Sequence, residues 1–493
     1  MDLSRVPRLH ESLTAGYLEQ YRLLPIARHD GSVVIAHAGA PDLQALAELS
    51  GLFVARVELV EVEEDELLLA VQRSYGLAGD SSPEGLVLET GPGNAEGAHV
   101  AHDLEALANQ PPVVRLVNML ISEAVDLEAS DVHLEAEGDG LRVRYRIDGV
   151  LQMMPAPPAH LRAAIVSRLK IMAELDIAER RLPQDGRIRL RIGGRELDVR
   201  VSTLPTLHGE SIVLRLLDAG RRCLGLESLG LAEDTCAQLL RRAARPQGVI
   251  LTTGPTGSGK TTTLYALVDR LRTGREKVVS VEDPVEYELS GVVQVPVQTR
   301  SGLTFARALR SILRQDPDML LVGEMRDPET AEICVQAALT GHLVLSTLHT
   351  NDAPSALTRL LDLGIADYLV TSTVEAVLAQ RLVRRTCIAC AVAVPTDEAS
   401  LREMAADGVT IPEVRRAKGC PACRGTGFRG RTGIYELLVV DEDIRSEVLR
   451  RRGSGSIRAL AVERGMRPLR ADGWRQVAAG MTVPEEVLRV TAT

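Results

Sequence analysis

The chain has 493 residues, enough for about three domains, and its 57 basic and 67 acidic residues give a net charge of −10. With 45% hydrophobic and 25% charged residues the composition is globular and argues against disorder; we expect neither a transmembrane helix nor a secretory signal peptide. The acidic balance and the few aromatics (3 Phe, 8 Tyr, 1 Trp) argue against a general single-strand nucleic-acid binder.

Residues 1–75 predict a small α/β domain. They combine an apolar strand at Ser32–Ala38 with amphipathic stretches at Asp42–Leu49 and Glu66–Tyr75, and they show no catalytic motif. The acidic run Glu61–Glu66 fits a solvated helix face better than a docking surface.

A linker and a second domain follow. Residues 76–100 are rich in Gly, Ser and Pro, which predicts a flexible linker. Residues 101–220 predict an α+β domain that begins with a helix at Val113–Ala124. Alternating strands that carry arginines are predicted at Leu141–Ile147, Arg187–Leu190 and Glu196–Val201.

Residues 236–386 predict a parallel sheet covered on both faces. Continuous apolar strands alternate with segments that are predicted to be helical, which is typical of such sheets. The predicted strands are Val249–Thr253, Lys277–Val281, Met319–Val322 and Leu343–Ser346.

A phosphate-binding loop follows the first of these strands. The sequence GPTGSGKT at Gly254–Thr261 fits the motif GxxxxGK[ST] and is followed by a predicted helix that begins at Thr261 and ends at Leu271. Its backbone N–H groups would wrap phosphate oxygens, Lys260 would reach the β- and γ-phosphates, and the Thr261 hydroxyl would ligate Mg²⁺. The predicted nucleotide-binding residues are Gly254, Pro255, Thr256, Gly257, Ser258, Gly259, Lys260, Thr261 and Thr262.

Acidic residues end two later strands. Met319–Val322 runs into Gly323 and Glu324, and Lys277–Val281 runs into Glu282. Carboxyl ends of parallel strands are where ligands bind, so Glu324 is placed to orient or deprotonate an attacking water. A strand-end carboxylate in a salt bridge is the alternative.

Four of the seven cysteines form two pairs, Cys387-x-x-Cys390 and Cys420-x-x-Cys423. Two such pairs predict a zinc site with four thiolate ligands within residues 387–430, in preference to thiol redox chemistry. Residues 431–493 are expected to be a helical C-terminal part of the P-loop domain.

Three longer motifs carry a family resemblance. VVSVEDPVEY (Val278–Tyr287), LRQDPDMLLVGEMRDPET (Leu313–Thr330) and TGHLVLSTLHTNDA (Thr340–Ala353) resemble the Asp box, Walker B region and His box of the secretion ATPases. ASDVH, RLPQDGRI, DVRVSTLPT and GRTGIYELL extend the likeness from about residue 111 to the end. The chain is thereby identified as a member of the superfamily of type II secretion and type IV pilus motors, and within it resembles the type II secretion (GspE) group.

The resemblance implies roles for individual residues. Glu324 resembles the catalytic Walker B glutamate, and Glu282 the Asp-box glutamate that assists metal or water. His342 and His349 match the His box, near the γ-phosphate or coupling it to movement, with a buried structural histidine as the alternative. Arg200 and Arg215 resemble arginine fingers that reach the γ-phosphate.

The resemblance also implies an architecture and partners. We expect an α/β protein with a RecA-like ATPase core, a preceding PAS-like domain, and ATP, Mg²⁺ and Zn²⁺ as ligands. It implies a homo-hexamer at the cytoplasmic face of the inner membrane, held there by protein partners, a GspL-like assembly protein and a GspF-like platform protein, to drive pseudopilus assembly and protein export. Residues 1–75 would dock to the assembly protein, and no nucleic acid is expected.

Three alternatives remain open from the sequence. A type IV pilus assembly ATPase shares the motifs, although those motors generally carry a longer N-terminal region. A zinc-containing DNA motor is disfavoured by the net charge of −10. A nucleotide-gated scaffold without turnover is opposed by intact Lys260, Thr261 and Glu324.

Overall fold

A computed structural model of the chain shows two compact units, Met1–Asn94 and Ala95–Thr493. The residues that it describes are 6, 9–10, 18, 21–29, 32–39, 41–42, 45–46, 49–50, 53, 55–75, 104–192, 195–218 and 224–492. The predicted linker at 76–100 and part of the amphipathic stretch Asp42–Leu49 lie outside the described residues. Within the described ranges, each helix is too short or too polar to cross a bilayer.

The first unit contains a three-stranded sheet. Its strands are β1 (Leu23–His29), β2 (Ser32–His37) and β3 (Arg56–Glu61), with β1–β2 antiparallel and β2–β3 parallel. Helix α1 (Glu64–Tyr75) follows β3 and contributes Leu67 and Val71 to the core. The acidic run Glu61–Glu66 therefore spans a strand end and a helix start, so only its second half is helical.

The second unit begins with an antiparallel domain, described over residues 104–192 and 195–218. Its elements are α2 (Pro111–Asp126), β4 (Asp131–Glu137), β5 (Gly140–Ile147), β6 (Val150–Met154), α3 (Arg162–Met172), β7 (Gln184–Ile192), β8 (Arg195–Thr206) and β9 (Gly209–Asp218). They form a six-stranded sheet in the order β6-β5-β4-β9-β8-β7. The hairpin predicted after Leu141–Ile147 is confirmed: Asp148 and Gly149 both have positive φ, as a tight turn between antiparallel strands requires.

The two faces of this sheet differ sharply. In β5, Leu141, Val143 and Tyr145 are buried against α2 and α3. The alternating arginines of β5 point to the other face, since side chains alternate along a strand. The antiparallel domain therefore presents a basic face opposite its helices.

The P-loop domain, residues 224–492, is built on a seven-stranded sheet. Its first elements are α4 (Glu233–Ala243), β10 (Gly248–Thr253), α5 (Lys260–Leu271), β11 (Val278–Glu282), β12 (Val293–Pro296), α6 (Phe305–Ile312), β13 (Met319–Val322), α7 (Pro328–Leu339), β14 (Leu343–Leu348), α8 (Ala353–Asp362), α9 (Asp367–Thr373) and β15 (Val374–Thr386). The strand order is β12-β11-β13-β14-β10-β15-β18, and every pair but the last is parallel. Strands β10, β11, β13 and β14 are buried along their whole length, which confirms the predicted sheet.

The C-terminal part departs from the helical expectation for residues 431–493. Its elements are β16 (Ala391–Pro395), α10 (Glu398–Ala406), β17 (Glu413–Ala417), β18 (Phe428–Val439), α11 (Glu442–Leu449), α12 (Ser454–Glu463), α13 (Leu469–Ala478) and α14 (Pro484–Thr491). Helix begins only at Glu442, because β18 pairs antiparallel with β15. A short apolar run such as that within β18 fits helix and strand equally well, and pairing with a neighbour decides between them.

One buried ion pair anchors the antiparallel domain. Lys170 Nζ lies 2.7 Å from Glu210 Oε1 and donates to the Glu179 carbonyl at 2.6 Å. The side chains of Lys170 and Glu210 are 1% and 6% exposed. Removing one partner of such a pair leaves an uncompensated buried charge.

We therefore expect Glu210→Gln to destabilise the antiparallel domain by roughly 3–5 kcal/mol. Hydrogen exchange followed by mass spectrometry should show lost protection in α3 and β9. Glu196→Gln is the matched control, since it breaks the exposed Arg191–Glu196 pair and should cost below about 1 kcal/mol. Equal protection in the two variants would contradict the prediction.

Candidate nucleotide and metal sites

The P-loop is shaped by glycines that no other residue could replace. Gly254 has φ +148°, and a Cβ there would lie 2.5 Å from the Gln380 carbonyl oxygen. Gly259 has φ +88°, and its Cβ would lie 2.8 Å from Gln380 Nε2. The loop thus packs its backbone against β15, while Pro255, Thr256 and Gly257 form an exposed crest.

Lys260 opens α5 beneath this crest. Its Nζ donates to the carbonyls of Gly254 at 2.7 Å and Pro255 at 3.1 Å. Burial lowers the pKa of Lys260 to about 8; the charge of Glu324 opposes this shift and that of Arg381 adds to it. Thr261 and Thr262 lie half-buried in the first helical turn.

The donor set fits a bound phosphate chain. A helix N-terminus presents free backbone N–H groups and partial positive charge, and here it also carries an ammonium. Among the described residues, the buried Ser258 hydroxyl has no hydrogen-bond partner. The loop therefore holds more donors than its own protein acceptors satisfy.

Glu324 lies directly after β13, two strands from the P-loop strand β10. Its Oε2 contacts Arg326 Nε at 2.5 Å and His349 Nε2 at 3.4 Å, and its side chain is 12% exposed. His349 follows β14, the strand between them. The structure therefore brings Glu324, His349 and Lys260 to one edge of the sheet, as the carboxyl ends of parallel strands require.

Glu282 occupies a more enclosed position. Its carboxylate accepts from Ser280 Oγ at 2.6 Å, from Gln294 Nε2 at 3.2 Å and from the Tyr265 hydroxyl. Burial, followed by the charge of Glu282, raises the pKa of Tyr265. With both oxygens engaged, Glu282 in this conformation ties the Asp box to helix α5. A direct contact with metal or water stays a prediction.

His342 is not brought to this edge. It precedes β14, whereas His349 follows it, so the two are roughly 20 Å apart along the strand. Its Nδ1 lies 2.8 Å from the Ala337 carbonyl and 3.2 Å from Thr340 Oγ1. Within one chain, His342 closes the turn after α7, and only His349 lies beside the P-loop edge.

Arg200 and Arg215 belong to a row that crosses the basic face. The strand register aligns Arg187 with Arg200, Arg200 with Arg215, and Arg215 with Asp131. We call Arg187, Arg200 and Arg215 the arginine row. Like charges directly opposite one another destabilise a sheet, so this alignment is costly without an anion.

The arginine row has few protein counter-charges. Arg215 Nε lies 2.9 Å from Asp131 Oδ1, and Arg200 Nη2 lies 3.9 Å from Glu286 Oε2 in the Asp-box loop. Burial lowers the pKa of Arg200, and among the described residues its buried Nε has no hydrogen-bond partner. The described contacts join neither Arg200 nor Arg215 to Lys260 or Glu324.

The four predicted zinc ligands converge. The Sγ atoms of Cys387, Cys390, Cys420 and Cys423 lie within 4.8 Å of one another, with separations of 3.7–3.9 Å for three pairs. A tetrahedral zinc site with Zn–S bonds of about 2.3 Å places its sulfurs about 3.8 Å apart. The tetracysteine cluster therefore fits zinc.

Neighbouring groups favour the thiolate form of Cys423, whereas burial raises the pKa of Cys390. Burial also acts to raise the pKa of Cys423, but the N–H groups of Cys420 and Gly427, at 3.1 and 3.3 Å from its sulfur, and the side chains of Cys420 and Cys390 outweigh burial and lower the pKa to about 6. The left-handed Arg424 (φ 52°) and Gly425 (φ 77°) form the turn that presents the Gly427 N–H to this sulfur.

The segment after Cys423 also contacts the antiparallel domain. Arg424 donates to the carbonyls of Asp126 at 3.1 Å and Leu127 at 3.4 Å, at the C-terminal end of α2. The Gly430 N–H donates to Asp148 Oδ2 at 2.8 Å. The tetracysteine segment thus bridges the two parts of the second unit.

Two further groups lie at the P-loop edge, Arg326, which the sequence places in the Walker B motif without an assigned role, and Arg381, which sequence reasoning missed. Arg326 contacts Glu324, and Arg381 lies beside Gly254. No local pattern marks Arg381, because Gln380 separates it from the apolar residues of β15 and the strand continues past it to Thr386.

Comparison with known proteins agrees with this geometry. A family profile described as "Type II/IV secretion system protein" matches residues 106–489, and one described as "MshEN domain" matches residues 2–81. The chain belongs to the type II/IV secretion system protein family. Type II secretion system protein E of Xanthomonas campestris pv. campestris is 47% identical over 98% of this chain and 85% of its own length.

A second curated relative and a solved structure are also similar to this chain. Type II secretion system ATPase E of Vibrio cholerae is 42% identical over 97% of this chain and 96% of its own length. The solved structure of the pilus retraction motor PilT with bound ADP has a TM-score of 0.52 at 25% identity, covering 76% of this chain and 96% of that one. The predicted fold class and membership of the type II secretion ATPases are confirmed.

The pKa of Lys260 predicts pH-dependent nucleotide binding. As pH rises through about 8 the free ammonium loses its proton, so the dissociation constant for a nucleotide triphosphate should rise, by up to about tenfold per pH unit. Binding of a fluorescent nucleotide between pH 6.5 and 9.5 measures this. Lys260→Ala should bind weakly with no such slope, and a flat wild-type profile would be incompatible with the prediction.

The tetracysteine cluster predicts one zinc ion per chain. Metal analysis of the purified protein should find it, and Cys420→Ser should lower the content at least severalfold because three thiolates hold zinc less tightly. Cys236→Ser changes a half-buried cysteine outside the cluster and should keep full occupancy. Equal zinc contents in the two variants would show that the cluster is not the site.

Proposed function

We propose that this chain hydrolyses Mg-ATP and uses the energy for protein export by a type II secretion system. The observation that carries the proposal is the meeting of Lys260, Glu324 and His349 at one edge of the parallel sheet. A P-loop supplies binding, and an acid on a neighbouring strand end supplies the group that hydrolysis needs. Membership of the secretion ATPase family supports it.

In this proposal residues Gly254–Thr262 hold the phosphates, and Lys260 turns from its carbonyl acceptors to the β- and γ-oxygens. The Thr261 hydroxyl would hold Mg²⁺, which when bound neutralises phosphate charge and orients the γ-phosphate. Glu324 holds the attacking water and takes its proton. Both described contacts of Glu324 fall on Oε2, so Oε1 is the oxygen that accepts from water.

Arg200 and Arg215 of the arginine row would neutralise the negative charge that develops on the γ-phosphate. Repulsion between the aligned like charges of the row destabilises the sheet, and a bound anionic ligand would reduce that repulsion. Arg200 already contacts Glu286 of the Asp-box loop, so a shift of the antiparallel domain would move the row relative to the P-loop domain. Arginine fingers of this kind can raise kcat by about 10³–10⁵-fold.

We propose that six chains form a ring at the cytoplasmic face of the inner membrane. Residues 1–75 would dock there to a GspL-like assembly protein, and a GspF-like platform protein would receive the motion that builds the pseudopilus. Support comes from relatives at 42–47% identity that are named type II secretion system proteins. These names favour protein export.

Glu324→Gln tests hydrolysis directly. It keeps the size of the side chain and removes the base, so phosphate release should fall by about 10²–10³ while the dissociation constant for ATP changes less than about threefold. Glu329→Gln alters an exposed glutamate that pairs with Arg310 and should retain the wild-type rate. Equal rates for wild type and Glu324→Gln would favour a nucleotide-gated scaffold and defeat the proposal.

A further inference from the structure

Arg381 lies at the P-loop edge although it belongs to no phosphate-binding motif. Strand β15 runs parallel to β10 with Ala379 opposite Thr253, so the next residues of both strands emerge together. A Cβ on Gly254 would lie 3.1 Å from Arg381 Nη1. The guanidinium is thus packed against the first residue of the P-loop.

The donors of this guanidinium are directed at backbone carbonyls. Nη2 donates to the Asn351 carbonyl at 2.8 Å, and Nη1 donates to the Gln380 carbonyl at 3.1 Å. Asn351 is two residues beyond His349. The same loop is fastened to β10, because the Thr350 N–H donates to Thr253 Oγ1 at 2.9 Å.

Two carboxylates act on the charge of this cation. Burial lowers the pKa of Arg381, and the carboxylates of Glu436 and Asp352 oppose the shift. Glu436 is 1% exposed and accepts from the N–H of Ala353 at 2.9 Å. Arg458 lies 2.7 Å from Asp352 and 3.4 Å from Glu436. The loop after His349 is therefore held at Asn351 by Arg381, at Asp352 by Arg458 and at Ala353 by Glu436.

We propose that Arg381 is a positioning residue for ATP hydrolysis. It holds the loop His349–Asp352 against the P-loop, which keeps His349 beside Oε2 of Glu324. Because its described hydrogen bonds go to Gln380 and Asn351, it acts through the loop that carries His349 and not on the nucleotide. The inference rests on the proposed hydrolysis and adds a residue to that site.

A double-mutant cycle on the full-length zinc-loaded protein tests this. Arg381→Ala and His349→Ala should each lower kcat by about tenfold, with the dissociation constant for ATP changed less than about threefold. The double variant should be no slower than the slower single variant, because both changes break the same link. Arg381→Lys, which keeps one donor and the charge, should recover part of the rate.

Arg385→Ala is the matched control, an exposed arginine on the same strand. It should retain the wild-type rate, and combined with His349→Ala it should be as slow as His349→Ala alone. Hydrogen exchange of residues 349–352 should rise in Arg381→Ala, remain as in wild type in Arg385→Ala, and show that the rest of the P-loop domain is folded.

Three results would overturn the inference. Multiplicative losses in the Arg381→Ala/His349→Ala double variant would mean independent roles. Weaker ATP binding with unchanged kcat would mean that Arg381 contacts the nucleotide. A rate for Arg381→Ala equal to that of Arg385→Ala would mean no role in positioning. The failure of the proposed function looks different, since wild type itself would then release no phosphate.

Discussion

The parallel alignment of β10, β13, β14 and β15 is the constraint on which the site depends. Strands that run parallel end together, so each polar residue that follows an apolar run arrives at one edge. Lys260, Glu324, His349 and Arg381 come from four separate stretches of chain and meet there for this reason. Short loops are therefore enough to bring these four side chains together.

Charge compensation then distinguishes structural from functional groups. Lys170 is paired with Glu210, so this buried charge is satisfied within the protein, while the half-buried Arg381 feels the charges of Glu436 and Asp352 without an ion pair to either. The arginine row differs because its members face one another across the sheet with sparse counter-charge. An alignment of like charges with so few counter-charges is suited to a polyanionic ligand.

The tetracysteine segment gives the second unit a further constraint. Arg424 and Gly430 contact the end of α2 and the turn after β5, while the cysteines beside them are arranged for zinc. Metal binding would therefore fix local turns whose outer surface touches the antiparallel domain. The geometry of the arginine row relative to the P-loop domain depends in part on this contact.

The sequence by itself determined the P-loop, the two cysteine pairs, the buried parallel strands and the family, because each is a local pattern with a fixed spacing. It also placed Glu324 at a strand end. Only the tertiary structure decided that β18 is a strand, that Glu282 is enclosed by Tyr265 and Gln294, and that His342 lies at the opposite edge from His349. It alone disclosed Arg381. These outcomes depend on which strands pair and in which direction, and pairing partners far apart in the chain leave no mark on local spacing.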